Sequence, residues 1–576
     1  MKIKLFILNV ILFALLSSAY TQTVCYVSPV PNSGLNNEKT NIIIGYTSSV
    51  NPQNVSFSVT GSHSGFHTGI MKSVENNTKV LFIPDSPFTL GDSVSVTISG
   101  YPLSFYFLVR NSSAGLDKIK VSDFPSNFES NSTPLNDTLP PLVITDNGNT
   151  SPGEIFISNF NNSSTTPSFL MILGNSGNAV FSRELPYRGY DFKKQDRVNL
   201  LSYYEESLHG YLCLDSNYNI TDTFFCGNGY STDLHEFRLM EDGSAWLLCY
   251  DNEYVDMSKI VPGGYTNAVV TGLVVQHVDK NKNVVFQWRS WDHFQITDAT
   301  HENLALISID YVHGNAIEID NDNNIMISSR HLDEITKINT QTGNIIWRLG
   351  GKNNQFIFTN DTLQFSHQHA IRRLANGHII MFDNGNYHTP PFSRAVEYNL
   401  DELNKTCTKT WEYRHNPSIS AFAMGNAQRL PNGNTMIGWG SASTTLTEVD
   451  STGQILYELD LPAGQMSYRA YRYSWNDIMT PVINPTEIAK SYALYQNYPN
   501  PFNPVTTIKF QIPDNGNVSL RIFDITGRMV DEIASGFYPK GIYEVNWNAE
   551  KFSSGIYFYM LRAGNVMLTQ KMILLK

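Results

Sequence analysis

A polar turn followed by an apolar strand recurs from about residue 140 to about residue 480, and this recurrence limits the possible fold more than any other feature of the chain. The turns are Asn175-Ser-Gly-Asn178, Glu241-Asp-Gly-Ser244, Asn321-Asp-Asn-Asn324, Ala375-Asn-Gly-His378 and Pro431-Asn-Gly-Asn434. Second turns precede aromatic strands, as in Thr342-Gly-Asn344 before Ile345-Ile-Trp347 and Thr452-Gly-Gln454 before Ile455-Leu-Tyr457. The phrase Ile371-Arg-Arg-Leu-Ala-Asn-Gly returns as Ala427-Gln-Arg-Leu-Pro-Asn-Gly, 56 positions on from 371 to 427. That period suits one four-stranded propeller blade with an insertion. Radial repetition of such blades leaves only short, protected strand edges. The expectation is an all-β chain whose residues 140–480 form a six-bladed β-propeller, with a stacked solenoid as the competing repeat architecture.

At 576 residues the chain exceeds what one hydrophobic core supports, so flanking domains are expected. Residues 24–113 alternate in the manner of strands, as in Val55-Ser-Phe-Ser-Val-Thr60 and Ser93-Val-Ser-Val-Thr-Ile98, and show no helical period. The segment Pro84-Asp-Ser-Pro-Phe-Thr-Leu-Gly91 resembles bacterial Ig-like modules of surface-layer type, which implies a small β-sandwich spacer. Residues 114–139 are rich in Ser, Asn, Asp and Pro and read as a linker. Lys2 and Lys4, the apolar run Leu5 to Leu16 and Ser17-Ser18-Ala19 read as a signal peptide over residues 1–19. That apolar run is too short for a spanning helix and no later stretch approaches the required length, so an integral membrane protein is not expected.

The end of the chain changes character. Tyr495-Gln-Asn-Tyr-Pro-Asn-Pro-Phe-Asn-Pro504, Val518-Ser-Leu-Arg-Ile-Phe-Asp-Ile-Thr-Gly-Arg528 and Ser554-Gly-Ile-Tyr-Phe-Tyr559 together resemble the C-terminal sorting domain of type IX (Por) secretion. The resemblance covers residues 490–576 and implies a small β-sandwich, contact with the type IX machinery, and a secreted or surface product of a Bacteroidota-type bacterium.

Composition excludes some functions. A net charge of −12 provides no electrostatic footprint for nucleic acid or anionic lipid, so an anionic substrate would need a local cationic pocket. No GxxxxGK[ST], GxSxG or HExxH occurs, which leaves nucleotide-cradling, serine-hydrolase and zincin chemistry without local support. Among the five cysteines no CxxC pair occurs; Cys213 and Cys226 are close enough for a local bridge, and the pairing stays open.

Histidines gather in the repeat. His235, His313 and His369 each precede a blade turn by six to eight residues, and equivalent positions on inner propeller strands would converge, with Arg330 nearby. His313-x-Asn315, Ser328-Ser-Arg-His331, Gly343-Asn-Ile-Ile-Trp-Arg-Leu-Gly350 and Gln368-His369 resemble the bacterial arylsulfotransferase (arylsulfate sulfotransferase) family over most of residues 140–480. The resemblance implies a six-bladed propeller that moves a sulfuryl group from a phenolic sulfate to a phenol without a nucleotide donor. His369 matches the transiently sulfated histidine, His313 and Asn315 the HxN pair, Arg330 the family arginine, and His235 the remaining site histidine. The His313-to-Arg330 spacing is one residue shorter than the family pattern, which fits a deletion in the turn at Asn321 to Asn324. His367 stands two residues from His369 on the same strand face and rivals it as nucleophile.

The residue types suit the chemistry. A neutral imidazole is nucleophilic near neutral pH, a guanidinium fork matches sulfuryl oxygens, and an imidazolium can protonate a departing phenolate. The structural alternatives are a blade anchor for His235, a turn cap for Asn315 and packing roles for Trp347, Trp411 and Trp439. His209, His277, His293, His301, His388 and His415 read as structural. No cofactor or metal is expected, since Arg330 is a poor neighbour for a metal ion. A non-catalytic propeller binding a glycan or phenolic ligand, and a metal-dependent hydrolase, are the competing functions. A homodimer is compatible with all of these readings.

Overall fold

The computed structural model describes residues 23–99, 103–112, 139–161, 167–475, 491–514, 516–538, 541–564 and 566–576. The expected leader (1–19) and all but the last residue of the expected linker (114–139) lie outside the described residues. Among the described residues the regular structure is strand with a few 3₁₀ turns, and no helix is long and apolar enough to cross a membrane. These residues fall into two compact units. One is built from the chain up to Asp123 together with Phe225–Phe237 and Ala245–Arg414; the other comprises Phe124–Phe224, Arg238–Ser244 and His415–Lys576.

In the first unit, two four-stranded sheets form the N-terminal sandwich. One contains Val24–Ser28, Ile42–Tyr46, Gly69–Val74 and Lys79–Pro84; the other contains Ser56–Gly61, Gly65–His67, Ser93–Ser99 and Leu103–Leu108. Strict alternation in Ser93–Ser99 turns Val94, Val96 and Ile98 into a core with Ile42, Ile44, Val80 and Phe107. This sandwich is docked, which a spacer need not be. Tyr26 Oη donates to Gln287 O at 2.7 Å and accepts from Gln287 N at 2.8 Å. Arg289 donates to the carbonyls of Leu35 and Gly34, and Arg110 reaches Glu38 at 2.7 Å and Glu253 at 3.5 Å.

Three blade-type sheets complete this unit. The first runs Ser231–Leu239, Ala245–Val255, Ala268–Val278 and Val284–Arg289. The second runs Gly314–Ile319, Ile325–Ser329, Glu334–Ile338 and Ile345–Gly350, and the third His369–Arg373, Ile379–Asp383, Arg394–Asp401 and Thr406–Tyr413. Met326, Ile335 and Trp347 of the second pack with Ile371, Met381, Val396 and Tyr398 of the third in one buried cluster. Such inter-sheet burial explains the near-continuous apolar runs of these strands.

The second unit holds three more such sheets. In them Glu154–Phe160 pairs with Met466–Tyr473 and Val143–Asp146 with Ile455–Asp460, so the first strands of the repeat are stitched to the last. Among the described residues, six sheets of this kind lie between Val143 and Tyr473. The repeated turn has a common geometry: Leu374 N donates to His378 O and Gly377 N to Leu374 O, just as Leu430 N donates to Asn434 O and Gly433 N to Leu430 O. Gly377 and Gly433 both sit at positive φ (86° and 92°), where a Cβ is strained. The C-terminal residues form a three-stranded and a four-stranded sheet around Phe510, Tyr543, Trp547 and Tyr559.

The disulfide joins Cys226 to Cys249, not Cys213 to Cys226. Cys249 sits mid-strand in Ala245–Val255 beside Tyr230 and Val274, whereas Cys213 is buried within Gly210–Leu214 and forms no disulfide. Trp347 and Trp439 are fully buried, as packing residues are.

Candidate active site

All five residues singled out in the sequence belong to the first unit, and three of its sheets supply them. His235 lies in Ser231–Leu239, His313 immediately before Gly314–Ile319, and His369 at the start of His369–Arg373. The ring of His235 is 4.9 Å from that of His313 and 6.0 Å from that of His369, centroid to centroid. The row continues: His313 to His331 is 4.6 Å, His331 to His367 is 5.6 Å and His367 to His301 is 5.9 Å. Six imidazoles thus form an unbroken series.

Two of them hold a carboxylate oxygen 2.6 Å from Nδ1. His235 Nδ1 lies 2.6 Å from Asp233 Oδ1, and Asp233 also accepts the His235 backbone N–H. His313 Nδ1 lies 2.6 Å from Asp310 Oδ2, and Asp310 accepts the His313 N–H at 3.0 Å. Burial pushes the Asp310 carboxyl upward, but the ring and backbone of His313 and the ring of His331 bring it below the usual range. A carboxylate at Nδ1 fixes the tautomer, stabilises an imidazolium and leaves Nε2 for proton exchange.

His331 and His367 are of the opposite kind. His331 donates from Nδ1 to Asp310 O at 2.6 Å and accepts at Nε2 from Arg330 Nη1 at 2.7 Å. Burial, with help from His313 and Arg330, brings it down to about 3. His367 donates from Nδ1 to Asn386 Oδ1 at 3.1 Å; burial, then Arg330, His331 and His301, bring it down to about 2. Both rings are therefore neutral near pH 7.

Arg330 occupies the 3₁₀ turn Arg330–Leu332, where its backbone N–H donates to His313 O. Its side chain reaches His331 and, at 3.2 Å, Asn386 Oδ1, so Arg330 and His367 share one amide oxygen. Burial lowers the guanidinium below its ordinary value, against the raising influence of Glu302, Asp333 and Asp310; it remains a cation.

The backbone around His369 is held unusually firmly. Asn315 is fully buried; its Nδ2 donates to Gln368 O at 2.8 Å and its Oδ1 accepts from Ala370 N at 3.3 Å. Gln368 in turn donates to Glu334 O, Ser328 Oγ and Ser329 O. His313, His367 and Ala370 all adopt positive φ (51°, 53° and 56°), and the register slips between His369 and Arg372. Left-handed non-glycine residues persist only where neighbours over-determine them, and they gather at functional sites.

Several participants were not singled out in the sequence. Asp233 and Asp310 stand two and three residues before their histidines, a local signal that was readable. His331 was visible only as part of a motif. His301, expected to be structural, stacks on Tyr387 at 3.5 Å and meets Asp333 at 3.1 Å. Asp310, His313 and His331 offer ligand atoms within 4.8 Å of one another, a spacing a divalent cation can use. Here both rings commit Nδ1 to Asp310, and Arg330 places a cation on His331 Nε2, so the arrangement fits proton handling better than metal binding.

The sequence model of the family described as Arylsulfotransferase (ASST) matches residues 145–472, and that of a secretion system C-terminal sorting domain matches residues 496–575. No curated protein matches the chain. Among solved structures, a protein of unknown function from Bacteroides caccae is 14% identical, over 56% of this chain and 98% of that one, with a TM-score of 0.35. A quinonprotein alcohol dehydrogenase-like protein from Bacteroides thetaiotaomicron is 8% identical, over 92% and 99% of the two chains, with a TM-score of 0.23. Dihydro-heme d1 dehydrogenase NirN is 10% identical, over 75% and 79%, with a TM-score of 0.26. At such scores these likenesses bear on neither fold nor function.

Proposed function

The chain belongs to the arylsulfotransferase family, and from that premise we propose that it transfers a sulfuryl group between phenols through a sulfohistidine, with no nucleotide donor. Its C-terminal sorting domain indicates type IX secretion to the cell surface or extracellular space of a Bacteroidota-type bacterium, so substrates are met outside the cytoplasm. The observation that carries the reading is the meeting of His235, His313 and His369 from three successive sheets.

In the first half-reaction an imidazole nitrogen of His369 attacks sulfur and the S–O(aryl) bond breaks. The departing phenolate takes a proton from the His313 or His235 imidazolium, each steadied by its aspartate. In the second half, the acceptor phenol returns that proton, its oxygen attacks sulfur, and the N–S bond breaks with the pair returning to His369. Charge spreads over three sulfuryl oxygens in both transition states, as in phosphoryl transfer, and Arg330 supplies the positive charge that meets it. Asn315 acts on His369 through the backbone.

The test is release of a chromogenic phenol from its sulfate ester, with and without an acceptor phenol, by the wild type and by His369→Ala and His367→Ala. Acceptor-stimulated release is expected in the wild type and in His367→Ala at reduced rate, and is lost in His369→Ala. Loss in His367→Ala with retention in His369→Ala reverses the assignment of the nucleophile. No release by the wild type with a broad set of donors and acceptors overturns the reading.

A further inference from the structure

Arg330 and Glu302 converge on one imidazole nitrogen. Arg330 Nη1 donates to His331 Nε2 at 2.7 Å, and Glu302 Oε1 stands 3.6 Å from the same atom. That carboxylate oxygen is also 3.8 Å from His367 Nε2, which is buried and makes no hydrogen bond. Both rings are neutral near pH 7, so the chief cation facing the carboxylate is Arg330 itself.

The other carboxylates of the cluster are engaged. Asp233, Asp310 and Asp333 accept the backbone N–H groups of His235, His313 and His367 respectively. Glu302 has no backbone donor among the described residues, and its side chain is 29% exposed. It is a partly exposed carboxylate close enough to Arg330 to act on its charge.

A phenol's sulfate ester carries one negative charge, whereas the phosphate monoester of the same phenol carries nearly two at neutral pH. The two have the same tetrahedral shape and the same ring, and a guanidinium binds either. Discrimination between them has to come from a group that repels the second charge. We propose that Glu302 is a specificity-determining residue that admits singly charged sulfate esters and turns away doubly charged phosphate esters. The proposal rests on the sulfuryl-transfer reading of the site.

The experiment measures binding, so that turnover does not enter it. The full chain carrying His369→Asn is titrated calorimetrically with 4-nitrophenyl sulfate and with 4-nitrophenyl phosphate, alone and combined with Glu302→Gln or Glu302→Asp. The sulfate ester is expected to bind more tightly than the phosphate ester by roughly tenfold or more. Glu302→Gln closes that gap, chiefly by tightening the phosphate ester, and Glu302→Asp retains most of it. Sulfate-ester binding with an unchanged ratio in Glu302→Gln overturns the charge selection alone. Failure of the sulfate ester to bind this protein and the wild type alike overturns the sulfuryl-transfer reading with it.

Discussion

Asn315 grips the chain on both sides of His369: its amide donates to the carbonyl of Gln368 and accepts the N–H of Ala370. The second residue of the HxN pair is thus a positioning residue. Asn315→Asp replaces the donor to Gln368 O with a second acceptor and sets two oxygens against each other. Since a misplacement of about 1 Å can cost roughly 10²-fold, kcat is expected to fall by about that factor with KM little changed. Steady-state kinetics of Asn315→Asp with a chromogenic aryl sulfate decides it; a rise in KM at constant kcat would instead place Asn315 in substrate binding.

The two His–Asp dyads carry a different prediction. Asp310→Asn and Asp233→Asn remove the charge that supports an imidazolium and let the ring adopt the other tautomer. Each is expected to lower kcat/KM by roughly 10²–10⁴. The larger loss should appear with poor leaving groups, because a phenolate of high basicity depends most on the proton. A series of donors with graded phenol pKa values checks this. Equal losses across the series would show that the aspartates only hold the fold.

His235, His313 and His369 were legible because the repeat assigns them a register: each stands six to eight residues before a turn, and the turn geometry at Gly377 and Gly433 is the same. His301 and Glu302 lie between the blade-type sheets, in the segment after the 3₁₀ turn Ile296–Asp298, where no period marks which side chains return to the site. For Asn315 the sequence allows a catalytic group or a turn cap, because spacing reveals proximity and not the direction of an amide. Alternation predicted the strands of the N-terminal sandwich, but its docking depends on single side chains, Tyr26 and Arg289 and the Arg110 contact to Glu253, which no pattern announces. The disulfide escaped for a related reason: Cys226 and Cys249 are brought together by a loop and a strand whose meeting is tertiary.

That docking is testable through Tyr26. Its hydroxyl both donates to and accepts from the backbone of Gln287, so Tyr26→Phe leaves a buried N–H and a buried carbonyl without it, while the ring keeps its stack on Phe286 at 5.1 Å. An unpaired buried group costs about 1–3 kcal/mol. Thermal unfolding of the full chain should shift downward, with kcat/KM at 25 °C within about twofold of wild type, since Tyr26 is outside the histidine row. An unchanged melting temperature would mean that water replaces the hydroxyl and that the sandwich is held by other contacts.

His331 and His367 predict the acid limit of stability. An unfolded chain protonates these rings below about 6.5, whereas in the fold they stay neutral down to about 3 and about 2. Above pH ~6.5 neither state binds the proton and the rings contribute no pH dependence. As pH falls below that value the unfolded state binds protons that the folded state refuses, so stability falls, by about 1.4 kcal/mol per pH unit for each ring. His331→Gln and His367→Gln each lose packing and hydrogen bonds, so their absolute stability is uninformative; the slope is not. Chemical denaturation between pH 7 and pH 4.5 should give each variant a shallower decline than wild type, and a double variant a shallower one still. Parallel slopes in all four proteins would place the folded-state titration of both rings near their ordinary value, and with it would go the account of a neutral pair beside Arg330.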